Sequence, residues 1–146
     1  MNRHFVEMLN ELSDAGADFL VIGAHAVAAH GFLRGTRDLD IWIRPTRENA
    51  ERVWQALVNF GAPLRNVTVD DLHTPELIYQ LGVEPTRIDF ITSPTGLEFA
   101  EAWENRVFIQ VGDRQFPFLS KGDVIRSKRA TARPQDLVDA DKLENQ

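Results

Sequence analysis

The sequence predicts a mixed α/β domain in which a central mixed sheet is flanked by helices and followed by a helical C-terminal tail. Segments with apolar residues at helical spacing alternate with short apolar or alternating segments that are typical of strands. The chain has 146 residues, close to the commonest size of one domain, so a single domain over residues 1–146 is expected.

The first half of the chain predicts the order helix, strand, helix, strand, helix. A first amphipathic helix begins after Asn2, which is available as a cap, and stops at residues 14–16. The segment "DFLVIG" predicts a buried strand that ends at Gly23, and the alanine-rich "AHAVAAHG" predicts a second helix. Alternation from Asp38 to Ile43 predicts a strand, and "ENAERVWQALVNFGA" predicts a helix that stops at Gly61.

The second half predicts shorter elements and then the helical tail. Two short strands are expected in "ELIYQLGV" and "TRIDFITSP", with a short helix in "TGLEFAEAWENR". The segment "RVFIQVGDRQFPFL" predicts a hairpin that turns at Gly112-Asp113. Two helices follow in "KGDVIRSKRATA" and "PQDLVDADKLE", the second with Pro134 in its first turn.

Three aspartates within predicted strands are the candidate functional residues. Asp38 and Asp40 are two residues apart, so they lie on one strand face with Cβ atoms roughly 6 to 7 Å apart. Asp89 is a lone acid inside the apolar "RIDFI". Carboxylate oxygens are the ligands that Mg²⁺ prefers, and three such acids on adjacent strands would form a two-metal site.

Ordinary structural roles are the alternative for each of these features. Two acids on a strand are commonly a solvated face, or a pair neutralised by neighbouring arginines such as Arg34, Arg37 and Arg87. Gly23 would let a phosphate approach the backbone, where the following helix offers unpaired N–H groups. A single glycine is more commonly an ordinary tight turn.

Taken together, these segments resemble a known family. The "GA" at residues 23–24, the "DLDI" at 38–41 and the "IDF" at 88–90 resemble the nucleotidyltransferase superfamily of the DNA polymerase beta type. More narrowly, "HGFLRGTRDLDIWI" and the tail "KRATARPQDLVDADKL" resemble small bacterial nucleotidyltransferase-like proteins related to the AbiEii group, several of which are toxin–antitoxin components. The resemblance spans about Val21 to Leu143.

The resemblance implies an activity and a set of site residues. The activity is attack of a hydroxyl on the α-phosphate of a nucleoside triphosphate, with release of pyrophosphate. Asp38, Asp40 and Asp89 would be both the catalytic residues and the ligands of two Mg²⁺ ions. The nucleotide-binding residues would be Gly23, Ala24, Arg34, Thr36, Arg37, Lys128 and Arg133.

The C-terminal charges also have an ordinary interpretation. Lys128 and Arg133 would equally suit a solvated basic face of the tail helices. Asp136 and Asp139 are expected to cap the last helix or to pair with Arg133 rather than to contact substrate.

Composition limits the function classes. A net charge of −6 argues against a general nucleic-acid coat protein, which needs a basic face. No apolar run approaches the roughly 18 residues of a membrane span, so no membrane association is expected. The chain has no cysteine, and its first residues do not resemble a signal peptide, which favours a cytoplasmic location.

Two hypotheses therefore compete. In the first, the protein is a magnesium-dependent nucleotidyltransferase whose acceptor is macromolecular, either an RNA such as the 3′ end of tRNA or a protein side chain. In the second, it is a catalytically silent module that binds a co-encoded partner protein. Ala24 favours the second, because the family usually has glycine or serine there. Modification of a small molecule is a third alternative, weakened because such enzymes usually carry more chain.

Overall fold

A six-stranded mixed sheet with helices packed against it confirms the predicted fold class. The computed structural model describes residues 1–31, 38–94 and 96–146. The helices are α1 (Arg3–Asp14), α2 (Gly23–His30), α3 (Arg47–Phe60), α4 (Phe99–Glu104), α5 (Lys121–Thr131) and α6 (Pro134–Glu144). The strands are β1 (Phe19–Ile22), β2 (Leu39–Ile43), β3 (Ile78–Leu81), β4 (Ile88–Ile91), β5 (Val107–Val111) and β6 (Arg114–Phe118).

The strand order is β3-β4-β2-β1-β6-β5. The hairpins β3–β4 and β5–β6 are antiparallel, as the local turn signals predict. The interior of the sheet mixes directions, since β2 is parallel to β4 and antiparallel to β1, while β1 is parallel to β6. Strand β2, which contains Asp40 and directly follows Asp38, therefore lies next to β4, which contains Asp89.

Helix boundaries follow local capping chemistry. The side chain of Asn2 accepts a hydrogen bond of 2.7 Å from the backbone of His4 at the start of α1, as predicted. Thr46 caps α3 in the same way, and α3 ends at Gly61 in the left-handed conformation (φ 88°). Pro134 is the first residue of α6, where its missing N–H is not needed.

The two faces of β2 have different environments. Leu39, Ile41 and Ile43 are fully buried on one face. Trp42 lies on the other face with Asp40, and its ring meets Phe99 of α4 edge-on, with centroids 5.0 Å apart. Helix α4 therefore covers this face at the Trp42 end, whereas Asp40 remains partly exposed.

The tail helices pack beside the glycine turn. Helix α5 packs against both α6 and α2. The His30 side chain at the end of α2 lies 2.7 Å from the carbonyl oxygen of Leu119, just before α5 begins. These contacts bring the tail to the site region. None of the described helices combines the length and the apolar character needed to cross a membrane.

Candidate active site

The sheet brings the three predicted acids together. Asp40 and Asp89 are direct partners in the parallel register between β2 and β4. Asp38 directly precedes β2 and shares the face of Asp40. The side chains of Asp38 and Asp89 are 14% and 10% exposed, so their charges have lost most of their hydration and need compensation.

Arg87 provides much of that compensation. Its Nε and Nη2 donate to the two carboxylate oxygens of Asp89 at 2.7 and 3.1 Å, a bidentate pair. Its Nη2 also lies 3.4 Å from Asp38 Oδ2, and its backbone N–H donates to Asp38 Oδ1 at 3.1 Å. The alternative of neutralisation by a neighbouring arginine therefore holds for Asp38 and Asp89.

Asp40 is left out of this pairing. No described residue hydrogen-bonds or ion-pairs with its carboxylate. Burial, together with the charges of Asp89 and Asp38, raises the pKa of Asp40 to about 6, against the opposing influence of Arg87 and Lys128. Among the described residues, Asp40 thus has fewer charged partners than Asp38 or Asp89.

Gly23 forms the tight turn between β1 and α2. Its φ of +68° is in the left-handed region that favours glycine, and a Cβ on this residue would overlap the Asp40 carboxylate. The cap of α2 is Ile22, which has no side-chain capping bond, so the first N–H groups of α2 lack that partner. The turn sets the N-terminus of α2, with its partial positive charge, against the Asp40 carboxylate.

Lys128 and Arg133 reach the same region from the tail. Both line a cleft of about 150 Å³ with Gly23, and both line an adjoining cleft of about 340 Å³ with Ala24. Two cations beside a helix N-terminus suit phosphate binding. That Lys128 and Arg133 bind nucleotide stays a prediction.

Two buried acids hold these cations. Lys128 Nζ lies 3.3 Å from Asp136 and 3.4 Å from Asp139, whose side chains are 5% and 2% exposed. Arg133 Nε donates to Asp136 at 2.7 Å, which confirms that expected pair. Burial raises the pKa of Asp136, but the hydrogen bonds from Arg133 and Lys128 outweigh it and hold that pKa below its usual value.

Of the two roles expected for these aspartates, pairing with Arg133 is found for Asp136, and capping of the last helix is not found. The cap of α6 is Arg133, without a side-chain capping bond, and Asp136 and Asp139 point instead to Lys128. Their helical spacing of three residues indicated a shared face, but only the packing of α5 on α6 supplies the partner. The other predicted nucleotide-binding residues, Arg34, Thr36 and Arg37, lie outside the described residues.

The acids provide the hard oxygen donors that Mg²⁺ prefers, and the uncompensated charge at Asp40 is one that a cation would relieve. The present arrangement is not preassembled for one. Within residues 1–31, 38–94 and 96–146, no group of three or more His, Cys, Asp or Glu side chains is placed to hold a metal ion. Arg87 binds two of the three acids instead.

A larger cleft, which the sequence did not reveal, continues along the sheet face beyond the acids. It has a volume of about 780 Å³ and shares Pro94 and Leu97 with the cleft beside Gly23. Trp42 and Phe99 lie at its apolar side, and Arg44 stacks over Phe99 with its guanidinium carbon 4.6 Å from the ring centroid. A cleft of this volume is the size of many small-molecule sites.

Comparison with solved structures shows a nucleotidyltransferase fold. A Thermotoga maritima protein described as a candidate nucleotidyltransferase matches with a TM-score of 0.61 and 16% identity, over 98% of this chain and 89% of the other. The lincosamide antibiotic adenylyltransferase LnuA, solved with lincomycin bound, matches with a TM-score of 0.61 and 15% identity, over 99% and 96% of the two chains. No family model and no curated protein sequence matches.

Proposed function

We propose that this protein is a divalent-metal-dependent nucleotidyltransferase that transfers a nucleoside monophosphate from a nucleoside triphosphate to a hydroxyl group. The observation that carries the proposal is the register of Asp40 opposite Asp89, with Asp38 beside them and the Gly23 turn against Asp40. The nucleotidyltransferase fold agrees with this reading of the site.

In the proposed reaction the acceptor oxygen attacks the α-phosphorus and forms a new O–P bond. The bond from the α-phosphate to the leaving pyrophosphate breaks, and the hydroxyl proton passes to a carboxylate, for which the resemblance favours Asp89. Asp38, Asp40 and Asp89 would hold two Mg²⁺ ions, which supply charge neutralisation at the phosphates and activation of the hydroxyl. The chain's own cations, Lys128 and Arg133, would bind the phosphates beside the helix end at Gly23.

A macromolecular acceptor, RNA or protein, remains the proposal that follows from the resemblance. The 780 Å³ cleft favours a second candidate, a small hydroxylated molecule bound in that cleft, which shares Pro94 and Leu97 with the cleft beside Gly23. The matching adenylyltransferase is covered over 96% of its chain, so chain length no longer argues against a small acceptor. Nucleotide transfer is common to both candidates.

A catalytically silent module that acts with a co-encoded partner protein, as in a toxin–antitoxin pair, is the competing proposal. Two features favour it. Ala24 follows Gly23 in the turn between β1 and α2, and Arg87 pairs with Asp38 and Asp89. Such a module would bind its partner tightly and would not bind triphosphate in a magnesium-dependent manner.

The deciding experiment is a magnesium-dependent transfer assay with each of the four α-labelled triphosphates against total tRNA, cell protein and a panel of hydroxylated small molecules. Transfer that is lost in Asp40→Ala and kept in Asp113→Ala, an exposed hairpin aspartate, would support the enzyme. Absence of transfer, together with tight binding of the co-encoded protein, would support the silent module.

A further inference from the structure

The Arg87 side chain lies between Asp38 and Asp89, two of the acids that would bind a cation in the proposed reaction. Its guanidinium binds both oxygens of Asp89 and lies 3.4 Å from Asp38 Oδ2. Arg87 directly precedes β4, two residues before Asp89, and its side chain lies on the same face as Asp89, as their ion pair shows. Arg87 is therefore held beside both acids by its ion pairs.

A guanidinium and a divalent cation cannot both use these oxygens at close range. The carboxylate lone pairs that Arg87 engages bidentately are those that a metal ion would take. Two cations within a few ångströms of each other in a partly buried site would also repel strongly.

Glu84 gives a displaced arginine an alternative partner. Its Oε1 is already 3.3 Å from Arg87 Nη1, and its side chain is 71% exposed. The guanidinium can thus remain paired after Asp38 and Asp89 release it, because rotation towards Glu84 does not leave it without a counter-ion.

We propose that Arg87 is a built-in competitor for the cation: its guanidinium neutralises Asp38 and Asp89 in the free protein, and a divalent cation binds by displacing it towards Glu84. This inference rests on the proposed function, because it takes the acids to be the cation site. It makes Arg87 a positioning residue that keeps the acids ordered until the cation arrives.

Binding of Mn²⁺ to the full chain without nucleotide, followed by electron paramagnetic resonance of the free ion, tests the inference. Arg87→Gln should bind Mn²⁺ about tenfold tighter than the wild type or more, since removal of a neighbouring cation favours the incoming one. Arg114→Gln is the matched control, because Arg114 also pairs with a carboxylate, Asp14 at 3.0 Å, but on the β5–β6 hairpin. Its affinity should equal that of the wild type.

Equal or weaker Mn²⁺ binding by Arg87→Gln would overturn the inference. If circular dichroism shows that this variant does not fold, Arg87→Met carries the test, because methionine fills similar space without a charge that competes with the cation. Affinity no tighter than that of the wild type would then count against the inference.

The transfer assay keeps this inference separate from the proposed function. Magnesium-dependent transfer by the wild type, with no gain of Mn²⁺ affinity in the variant, refutes the inference alone. A gain of Mn²⁺ affinity, with no transfer by the wild type, refutes the enzyme alone.

Discussion

Gly23 and Asp40 are packed so closely that the glycine leaves no room for a side chain, because a Cβ there would overlap the Asp40 carboxylate. The contact follows from the antiparallel register of β1 and β2, in which Ile22 is paired with Asp40. The proposed phosphate-binding turn is therefore in direct contact with the proposed cation ligand Asp40.

Gly23→Ala should damage both functions of the turn. The new methyl group must displace Asp40, and alanine is also strained at a φ of +68°. We expect a loss of unfolding free energy of about 1–3 kcal/mol and loss of nucleotide transfer. Gly112→Ala is the control, since its φ is +65° and nothing lies within 4 Å of its Cβ position. If the two variants behave alike in denaturant unfolding and in transfer, the contact with Asp40 is unimportant.

Asp40→Asn should stabilise the free protein at neutral pH. The folded-state pKa of Asp40 is about 6, because of burial and of the charges of Asp89 and Asp38, against an ordinary value of 3.8. The folded protein therefore binds more protons than the unfolded chain between these values, and stability falls as pH rises through this window. At pH 8 the asparagine variant should be more stable by on the order of 2 kcal/mol.

Urea unfolding without divalent cations checks this expectation. The difference between Asp40→Asn and the wild type should shrink as pH falls through 6 and should vanish near the ordinary pKa of 3.8. Asp113→Asn, at the exposed hairpin turn, should show no such pH dependence. A stabilisation of Asp40→Asn that is the same at pH 8 and pH 4 would show that the buried charge of Asp40 is not its cause.

Local patterns predicted the elements of this fold well, because capping residues, turns and strand alternation act over a few residues. Alternation placed Asp38 and Asp40 on one face, and it could equally have placed Arg87 with Asp89. The pairing of β2 with β4 is different: it skips β3, which lies between them in the chain. No local signal encodes that long-range pairing, so the Arg87 bridge between Asp38 and Asp89 came only with the structure.

The tail shows the same limit. Asp136 and Asp139 have the spacing of one helix face, so a common partner could be expected from sequence. That this partner is Lys128 depends on how α5 packs on α6. The 780 Å³ cleft likewise depends on the distance between β2, α4 and α5, which residue patterns do not specify.

Lys128→Met should destabilise the protein strongly. The variant leaves Asp139, which is 2% exposed, and Asp136, which is 5% exposed, without their shared cation. Breaking a buried pair in this way costs about 3 kcal/mol. Because Lys128 also helps to hold the pKa of Asp136 low, the loss should be greatest at neutral pH and smaller in acid, where Asp136 is protonated.

The matched control is Arg129→Met on the same helix. Arg129 pairs with Asp141 and Glu144, whose side chains are 72% and 51% exposed. An exposed pair contributes less than about 1 kcal/mol. Equal destabilisation of the two variants in urea at pH 7 would mean that Lys128 does not serve the buried aspartates.

Filling the large cleft should distinguish a small acceptor from a macromolecular one. Ala100 is an exposed residue of α4 that lines the cleft, so Ala100→Trp would occupy part of its 780 Å³. If a small hydroxylated molecule binds there, its KM should rise on the order of tenfold or more, because the indole takes the ligand's volume. The KM for the triphosphate should stay the same, since Gly23 and Lys128 lie in the neighbouring cleft. Ala100→Ser keeps the cleft open and should match the wild type. Undiminished small-molecule transfer by Ala100→Trp would place the acceptor elsewhere on the protein.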